Sequence, residues 1–128
     1  MSHISKIKTN YKDWKGLKRA IENMGGTVHE NTTEFLYFGG SKGKCTHMAE
    51  FKGARYQLGI TLDEKTGTYN LAMDNYSSGG LSHIVGHNGV KLKVEYSAAV
   101  TEIKLERQGF QLKRELKADG GMRLVARD

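Results

Sequence analysis

The positions of the glycines limit the length of the helices and strands that this chain can form. The sequence has sixteen glycines and no proline, and the glycines cluster within 39–43, 79–80, 86–89 and 120–121. Glycine adopts left-handed backbone conformations at little steric cost, so such clusters are typical of loops. The stretches between them are short, which favours a fold assembled from several short strands and a few helices.

Two stretches have the spacing of an amphipathic helix, with apolar residues three and four positions apart. The first helix presents Trp14, Leu17, Ile21 and Met24. Asp13 is the expected N-cap, and Gly25 can end this helix in a left-handed turn. The second helix presents Leu92, Tyr96, Ala99 and Ile103. It is expected to close at Gln108 and Gly109.

Segments that alternate in polarity, or that are rich in aromatic and β-branched residues, predict the strands. They lie at 3–9, 27–29, 34–38, 46–52, 56–62, 68–73, 110–116 and 122–126. The last two form a hairpin whose turn is expected at 118–121. We therefore predict one α+β domain, residues 1–128, with an antiparallel sheet and two helices on one of its faces. The arrangement we expect is ferredoxin-like with an extra hairpin.

Charge and cysteine content indicate which class of partner and which cellular compartment to expect. The formal net charge is +6 and the isoelectric point is near 9.4, which favours anionic partners, although plain solubility explains the charge as well. Cys45 is the only cysteine, so no internal disulfide can form and we expect a reducing, cytoplasmic location. The first residues lack the apolar core of a secretory signal. No apolar run approaches the roughly 18–20 residues of a membrane span, so we expect no membrane association.

The two ends of the chain carry short recognisable segments. They are MSHISKIKT at 1–9, Tyr96 in the second helix, QGF at 108–110 and DGGMRLV at 119–125. These segments resemble a family of small uncharacterised proteins that includes a conserved chloroplast and cyanobacterial reading frame and bacteriophage members. The resemblance implies the α+β architecture and carries over no activity. The middle, 27–91, departs from the family pattern, and a specialised function is expected there.

The glycine loop after the aromatic strand is a candidate anion site. It reads GGSKGKCT at 39–46, which superficially suggests a phosphate-binding loop. The Walker pattern fails twice, because Phe38 stands at its first glycine and Cys45 stands where Ser or Thr should hold magnesium. Backbone N–H groups of the loop, together with Lys42 and Lys44, can still bind an anion. A solvated hairpin loop is the alternative interpretation.

Metal binding and catalysis find little support in the sequence. Cys45, His47, His83 and His87 are potential zinc ligands, but their spacing is a poor match to the usual zinc motifs, so we expect no metal. A Cys45–His47 pair is geometrically possible on one strand face, yet the chain has no Gly-x-Ser-x-Gly motif and no convincing carboxylate pair. We therefore predict no catalytic residue, no cofactor and no enzymatic activity.

Nucleotide binding suits the residue types of the divergent middle. An aromatic ring stacks on a base for about 1–3 kcal/mol, while basic or backbone groups hold the phosphate. Histidine side chains can read base or ribose edges as neutral donors and acceptors. The expected ligand-binding residues are Tyr37 and Tyr76 for stacking, Lys42, Lys44 and Arg55 for phosphate, and His83 and His87 for the edges.

Two functions from different classes stay open. The first is a non-enzymatic binding protein for a small anionic nucleotide. In a phage setting it would be a sponge in the host cytoplasm that sequesters an immune signal such as a cyclic dinucleotide without cleaving it. The second is an RNA- or protein-binding accessory factor with a basic surface made by Lys12, Lys15, Lys18, Arg19, Lys104, Arg107 and Lys113. We expect a homo-oligomer, most simply a two-fold dimer.

Overall fold

A computed structural model describes residues 4–118 and 121–127. In chain order its strands are β1 (Ile4–Ile7), β2 (Gly26–Glu30), β3 (Glu34–Leu36), β4 (Lys42–Lys44), β5 (His47–Phe51), β6 (Leu58–Asp63), β7 (Thr68–Asp74), β8 (Gln111–Leu116) and β9 (Met122–Arg127). The helices are α1 (Trp14–Asn23), α2 (Leu81–Val85) and α3 (Val90–Arg107). Five strands form the main sheet in the spatial order β1-β7-β6-β5-β2, and every neighbouring pair is antiparallel.

Helix α1 forms where the apolar spacing predicts it. The Asp13 carboxylate accepts a hydrogen bond of 3.0 Å from the Gly16 N–H, which satisfies one of the free donors at the start of the helix. Leu17 and Ile21 are fully buried against the sheet. A side chain at Gly16 would collide with α3, because a Cβ there would lie 2.6 Å from Val100 Cγ2.

The two longer helices, α1 and α3, cover one face of the main sheet. The core between them and the sheet combines Leu17, Ala20 and Ile21 of α1, Leu92 and Ala99 of α3, and Leu58, Ile60, Leu71 and Met73 of the strands. Helix α3 begins at Val90, two residues before its predicted stripe, and ends before Gln108 as expected. Helix α2 occupies a glycine-rich stretch for which the sequence predicted no regular element.

The β3–β4 ribbon packs on the opposite face of the main sheet, which we call the outer face. Phe35 of β3 is 2% exposed, and a Cβ at Gly59 of β6 would lie 2.5 Å from its ring. A Cβ at Gly43 of β4 would also overlap this ring. Glycine at both positions therefore lets the ribbon lie close to the sheet over β5 and β6. The predicted loop at 39–46 therefore contains a turn followed by a strand, because Lys42, Gly43 and Lys44 pair with β3.

The C-terminal hairpin is separate from the main sheet. Among the described strands, β8 and β9 pair with each other alone. Arg114 of β8 donates hydrogen bonds to Glu102 and Glu95 of α3, and these bonds raise the pKa of its guanidinium. They fasten the hairpin to the helix. The predicted turn at 118–121 lies partly outside the described residues.

The α+β class, the antiparallel sheet and its two helices are confirmed. The ferredoxin-like order is not confirmed, because the strands that follow α3 build the separate hairpin and β7 lies beside β1. Among the described residues, no helix is long and apolar enough to cross a membrane.

Candidate anion-binding site

A cleft on the outer face brings three lysines together. It has a volume of about 360 Å³, and we call it the lysine cleft. Its lining residues are Lys6 and Ile7 of β1, Lys8 directly after β1, Lys44 of β4, Thr61 of β6, and Asn70, Leu71 and Ala72 of β7. The cleft lies beside the β3–β4 ribbon, where the ribbon leaves the outer face of β1 and β7 uncovered.

Strand register explains why these residues meet. Lys6 pairs with Ala72, and Thr61 pairs with Asn70. Directly paired residues share a face of the sheet, as do residues two apart along one strand. Lys6 and Lys8 therefore stand on the outer face beside Asn70 and Ala72, while Lys44 reaches the same cleft from the ribbon.

The cleft is cationic and has no acidic residue among its lining residues. Among the described residues, the ion pairs involve other cations, namely Lys18, Arg19, His29, Lys42, Arg114 and Arg123. Lys6, Lys8 and Lys44 are therefore three ammonium groups that lack an ion-pair partner in the described part of the chain. An anion held between them would be attracted by all three positive charges.

Asn70 is oriented toward the cleft by its own hydrogen bonds. Its Oδ1 accepts from the Thr9 N–H at 3.0 Å and from the Thr68 hydroxyl at 3.4 Å. Because a backbone N–H can only donate, these bonds fix which end of the amide faces Thr9. The Nδ2 group has no acceptor among the described residues, so it can donate to a ligand oxygen.

Part of the predicted site gathers at a different place on the molecule. The Arg55 N–H donates to the Gly79 carbonyl at 2.8 Å, which joins the loop before β6 to the turn that contains Tyr76. The rings of Phe38 and Tyr76 meet edge to face with centroids 5.5 Å apart. The structure therefore brings the turns that carry Tyr37, Arg55 and Tyr76 together. Lys42 lies 3.6 Å from the Glu34 carboxylate, so its charge is already paired.

His83 and His87 lie in the α2 region on a different part of the chain. The His83 carbonyl accepts from the Lys91 ammonium at 3.3 Å, and His87 begins a short turn after α2. Among the described contacts, none joins either imidazole to the lysine cleft or to the Tyr76 turn. Their predicted roles at a nucleotide stay predictions, separate from the lysine cleft.

Of the residues that line the lysine cleft, the sequence prediction named Lys44 alone. The polar residues it missed are Lys6, Lys8, Thr61 and Asn70. Lys6 and Lys8 alternate with Ile7 in a segment predicted to be a strand, which already implied two lysines on one face. The partner strand of β1 was not predicted, so this face could not be matched with Asn70 and Thr61.

Cys45 and His47 are each engaged elsewhere and do not form a nucleophile–base pair. The Cys45 thiol donates to the Thr32 carbonyl at 3.4 Å, and burial raises the pKa of this thiol. His47 Nδ1 accepts from the Asn31 N–H at 3.1 Å. Among the described residues, no group of three or more His, Cys, Asp or Glu side chains is placed to hold a metal ion.

His47 belongs to an aromatic cluster with Trp14 and Tyr69. Its ring centroid lies 4.5 Å from that of Trp14, which in turn lies 4.9 Å from that of Tyr69. The Trp14 indole N–H also donates to Glu30 at 3.0 Å. Burial lowers the pKa of His47, although the nearby Glu30 carboxylate acts in the opposite direction. Neutral imidazole is thus the form that the folded protein prefers.

This lowered pKa predicts a loss of stability in acid. Unfolded His47 takes up a proton near its ordinary pKa of 6.5, whereas the folded protein resists protonation until lower pH. The unfolded state then binds more protons, so the free energy of unfolding falls as pH drops below 6.5. Urea titrations at several pH values should show a steeper pH dependence for the wild type than for His47→Gln. Equal slopes would contradict this assignment, and His83→Gln is the exposed-histidine control.

A second basic surface lies between α1 and α3. Its groove, of about 570 Å³, is lined by Lys15, Lys18, Arg19, Glu22, Ile103, Glu106 and Arg107. Two of its four cations are already paired, since Arg19 contacts Glu106 at 2.5 Å and Lys18 lies 3.6 Å from Glu30. The hydrogen bond to Glu106 raises the pKa of Arg19. This groove is less strongly cationic than the lysine cleft.

No family model, curated protein or solved structure matches this chain.

Proposed function

We propose that this protein is a non-enzymatic binding protein for a small anionic nucleotide whose phosphate lies in the lysine cleft. The observation that carries the proposal is the convergence of Lys6, Lys8 and Lys44 on one cleft without an acidic neighbour in its lining. Charge-assisted hydrogen bonds from ammonium groups to phosphate oxygens are short and about twice as strong as neutral ones. Three such donors favour a ligand with two or more negative charges.

The size and the uncharged groups of the cleft favour a nucleotide over inorganic phosphate. A volume of about 360 Å³ lies in the range of small-molecule sites and far exceeds one phosphate. The Thr61 hydroxyl and the Asn70 amide add neutral donors beside the lysines. These groups suit the hydroxyl and carbonyl oxygens of a ribose or a base.

Binding without conversion is the function this chemistry supports best. Three ammonium groups, a hydroxyl and an amide supply charge and hydrogen bonds, and Cys45 and His47 are held by other contacts. Such a protein lowers the free concentration of its ligand by holding it. This is the behaviour of a sponge that sequesters a host signal such as a cyclic dinucleotide in the cytoplasm, the setting that the phage resemblance favours.

The test is a thermal-shift screen of the purified chain against inorganic phosphate, mononucleotides, linear dinucleotides and cyclic dinucleotides. A ligand at 100 times its dissociation constant stabilises the folded state by about 2.7 kcal/mol. For a chain of this size that raises Tm by several degrees. The expected result is a clear shift with at least one nucleotide and a small one with phosphate. No shift with any nucleotide would contradict the proposal.

A second candidate is docking of RNA or an acidic protein surface in the groove between α1 and α3. The supporting observation is that Lys15, Lys18, Arg19 and Arg107 line one groove. For this candidate, the double variant Lys15→Ala, Arg107→Ala would lose RNA binding, whereas variants of the lysine cleft would keep it. A gel-shift assay with short RNA separates the two candidates.

We also expect the protein to form a two-fold dimer, the commonest symmetric assembly. In the described chain, the hairpin β8–β9 has outer edges that pair with no other strand, and Leu116 in it is 88% exposed. Exposed strand edges and large apolar side chains are features that a second copy can cover. Light scattering should report twice the 14.3 kDa of the chain. A 14.3 kDa particle at micromolar concentration would contradict this expectation.

A further inference from the structure

A second cleft adjoins the lysine cleft at the end of β1. It has a volume of about 340 Å³ and is lined by residues 7–11, residues 88–90 and Lys93. It therefore lies between the segment that follows β1 and the first turn of α3, and we call it the α3 cleft. Ile7 and Lys8 line both clefts. The two clefts are thus direct neighbours that share Lys8.

The α3 cleft is cationic, like its neighbour. Lys8 and Lys93 are among its lining residues, and none of the lining residues is acidic. Both lysines are exposed. Neither takes part in an ion pair in the described part of the chain. An anion in the α3 cleft would be attracted by both ammonium groups.

Tyr11 supplies a hydroxyl donor to the α3 cleft. The residue is 4% exposed, and its ring packs on that of Tyr96 with the centroids 4.3 Å apart. The Tyr11 hydroxyl makes no hydrogen bond with another described residue. Among these residues, Asp74 carries the only completely enclosed side-chain oxygen that lacks a partner. The Tyr11 hydroxyl is therefore accessible, and because Tyr11 lines the cleft it can donate to a ligand there.

Asn88 adds an amide donor whose orientation is fixed by Asn75. The Asn88 N–H donates to Asn75 Oδ1 at 2.9 Å, and a backbone N–H can only donate. Nδ2 of Asn75 must therefore be the group that contacts Asn88 Oδ1 at 2.7 Å. Since Oδ1 of Asn88 is engaged, its Nδ2 is the free end of the amide. This group has no acceptor among the described residues and can donate to an anion.

We propose that the ligand is a dinucleotide whose two phosphates lie one in each cleft, with Lys8 between them. The inference rests on the proposed function, because the lysine cleft must hold the first phosphate. Each cleft has a volume at the lower end of the range of small-molecule sites, which suits about one nucleotide unit. A mononucleotide in the lysine cleft leaves the donors of the α3 cleft unused. A second phosphate gains charge-assisted hydrogen bonds from Lys93, Tyr11 and Asn88.

The experiment measures dissociation constants by calorimetry for AMP, ADP, cyclic di-AMP and the linear adenine dinucleotide that carries a terminal phosphate, and for the guanine counterparts. ADP has two adjacent phosphates on one nucleoside, so it separates added charge from occupation of a second cleft. We expect the wild type to bind at least one dinucleotide at least about 10-fold more tightly than AMP, GMP, ADP or GDP.

Two variants of the α3 cleft test the site of the second phosphate. Lys93→Ala and Tyr11→Phe should each weaken binding of that dinucleotide about 10-fold, the effect of one hydrogen bond to a charged group. Both should leave mononucleotide binding unchanged, whereas Lys6→Ala in the lysine cleft should weaken both ligands. Lys104→Ala is the matched control, because it removes the same charge from an exposed position of α3 outside both clefts. It should change neither affinity.

The outcomes separate this inference from the proposed function. The second phosphate site is overturned if Lys93→Ala leaves dinucleotide binding unchanged or weakens mononucleotide binding equally. It is also overturned if ADP or GDP binds as tightly as the dinucleotides. In each of these cases the lysine cleft stands as long as Lys6→Ala weakens binding. If the wild type binds no nucleotide, both proposals fall.

Discussion

Replacing Lys6, Lys8 and Lys44 together by alanine is expected to weaken nucleotide binding at least about 100-fold. Each charge-assisted hydrogen bond to phosphate contributes about 1.5–3 kcal/mol, so losing three exceeds a factor of 100 even after partial compensation. The three side chains stand in the same cleft and lack ion-pair partners among the described residues. Calorimetric titration with the nucleotide that gives the largest thermal shift measures the loss.

The matched control replaces three exposed lysines outside the cleft, Lys52, Lys65 and Lys104. Both triple variants change the net charge by the same amount, so a long-range effect of charge would weaken both equally. Only the cleft variant is expected to lose affinity and most of its salt dependence. Equal losses in both variants would remove the lysine cleft as the site.

Phe35→Ala is expected to lower the free energy of unfolding by about 3–5 kcal/mol, the usual cost of emptying a buried aromatic position. The ring is 2% exposed and fills the space above Gly59 and Gly43. The two glycines have no side chains of their own that could relax into the cavity. The loss is measured by urea unfolding monitored by circular dichroism.

Phe38→Ala is the control for this substitution, because Phe38 is 38% exposed and contacts Tyr76 at the surface. We expect it to cost no more than about 1 kcal/mol. If Phe35→Ala were as mild as Phe38→Ala, the β3–β4 ribbon would not be packed on the outer face as described. The position of Lys44 at the cleft would then lose its support.

Local patterns in the sequence were sufficient for the elements that depend on local interactions. The stripe through Leu17 and Ile21, with Asp13 as the N-cap, predicted α1 because helix spacing and capping are read within one short segment. The strands β5, β6 and β7 were found because each contains alternating or β-branched residues between turn signals. The fold class follows from the order of these elements.

The β3–β4 ribbon shows where local patterns are insufficient. Gly43 between Lys42 and Lys44 looks like a loop, since glycine weakens a strand. The strand forms because the ring of Phe35 packs over both Gly43 and Gly59, a contact between distant parts of the chain. Helix α2 was missed for a related reason, because glycines surround it and its buried Leu81 and Val85 meet residues that are distant in sequence.

The candidate site was predictable only in part. Lys44 was named from the basic loop, and the structure brings the turns of Arg55 and Tyr76 together at a different place. Lys6 and Asn70 could not be brought together from the sequence, because their proximity depends on the pairing of β1 with β7 across more than sixty residues. The pairing of strands so far apart in the sequence depends on the whole sheet, so no local sequence pattern predicts it.

The most direct test of nucleotide binding without conversion is equilibrium dialysis of the wild-type protein against an excess of a cyclic dinucleotide. The bound ligand is then released by heating the protein, and its mass is measured. We expect saturable uptake by the wild type, no such uptake by the Lys6→Ala, Lys8→Ala, Lys44→Ala variant, and a released ligand of unchanged mass. The dialysis is repeated with linear dinucleotides and mononucleotides. No saturable uptake of any of these nucleotides, or a released ligand of altered mass, would contradict a protein that binds a nucleotide without converting it.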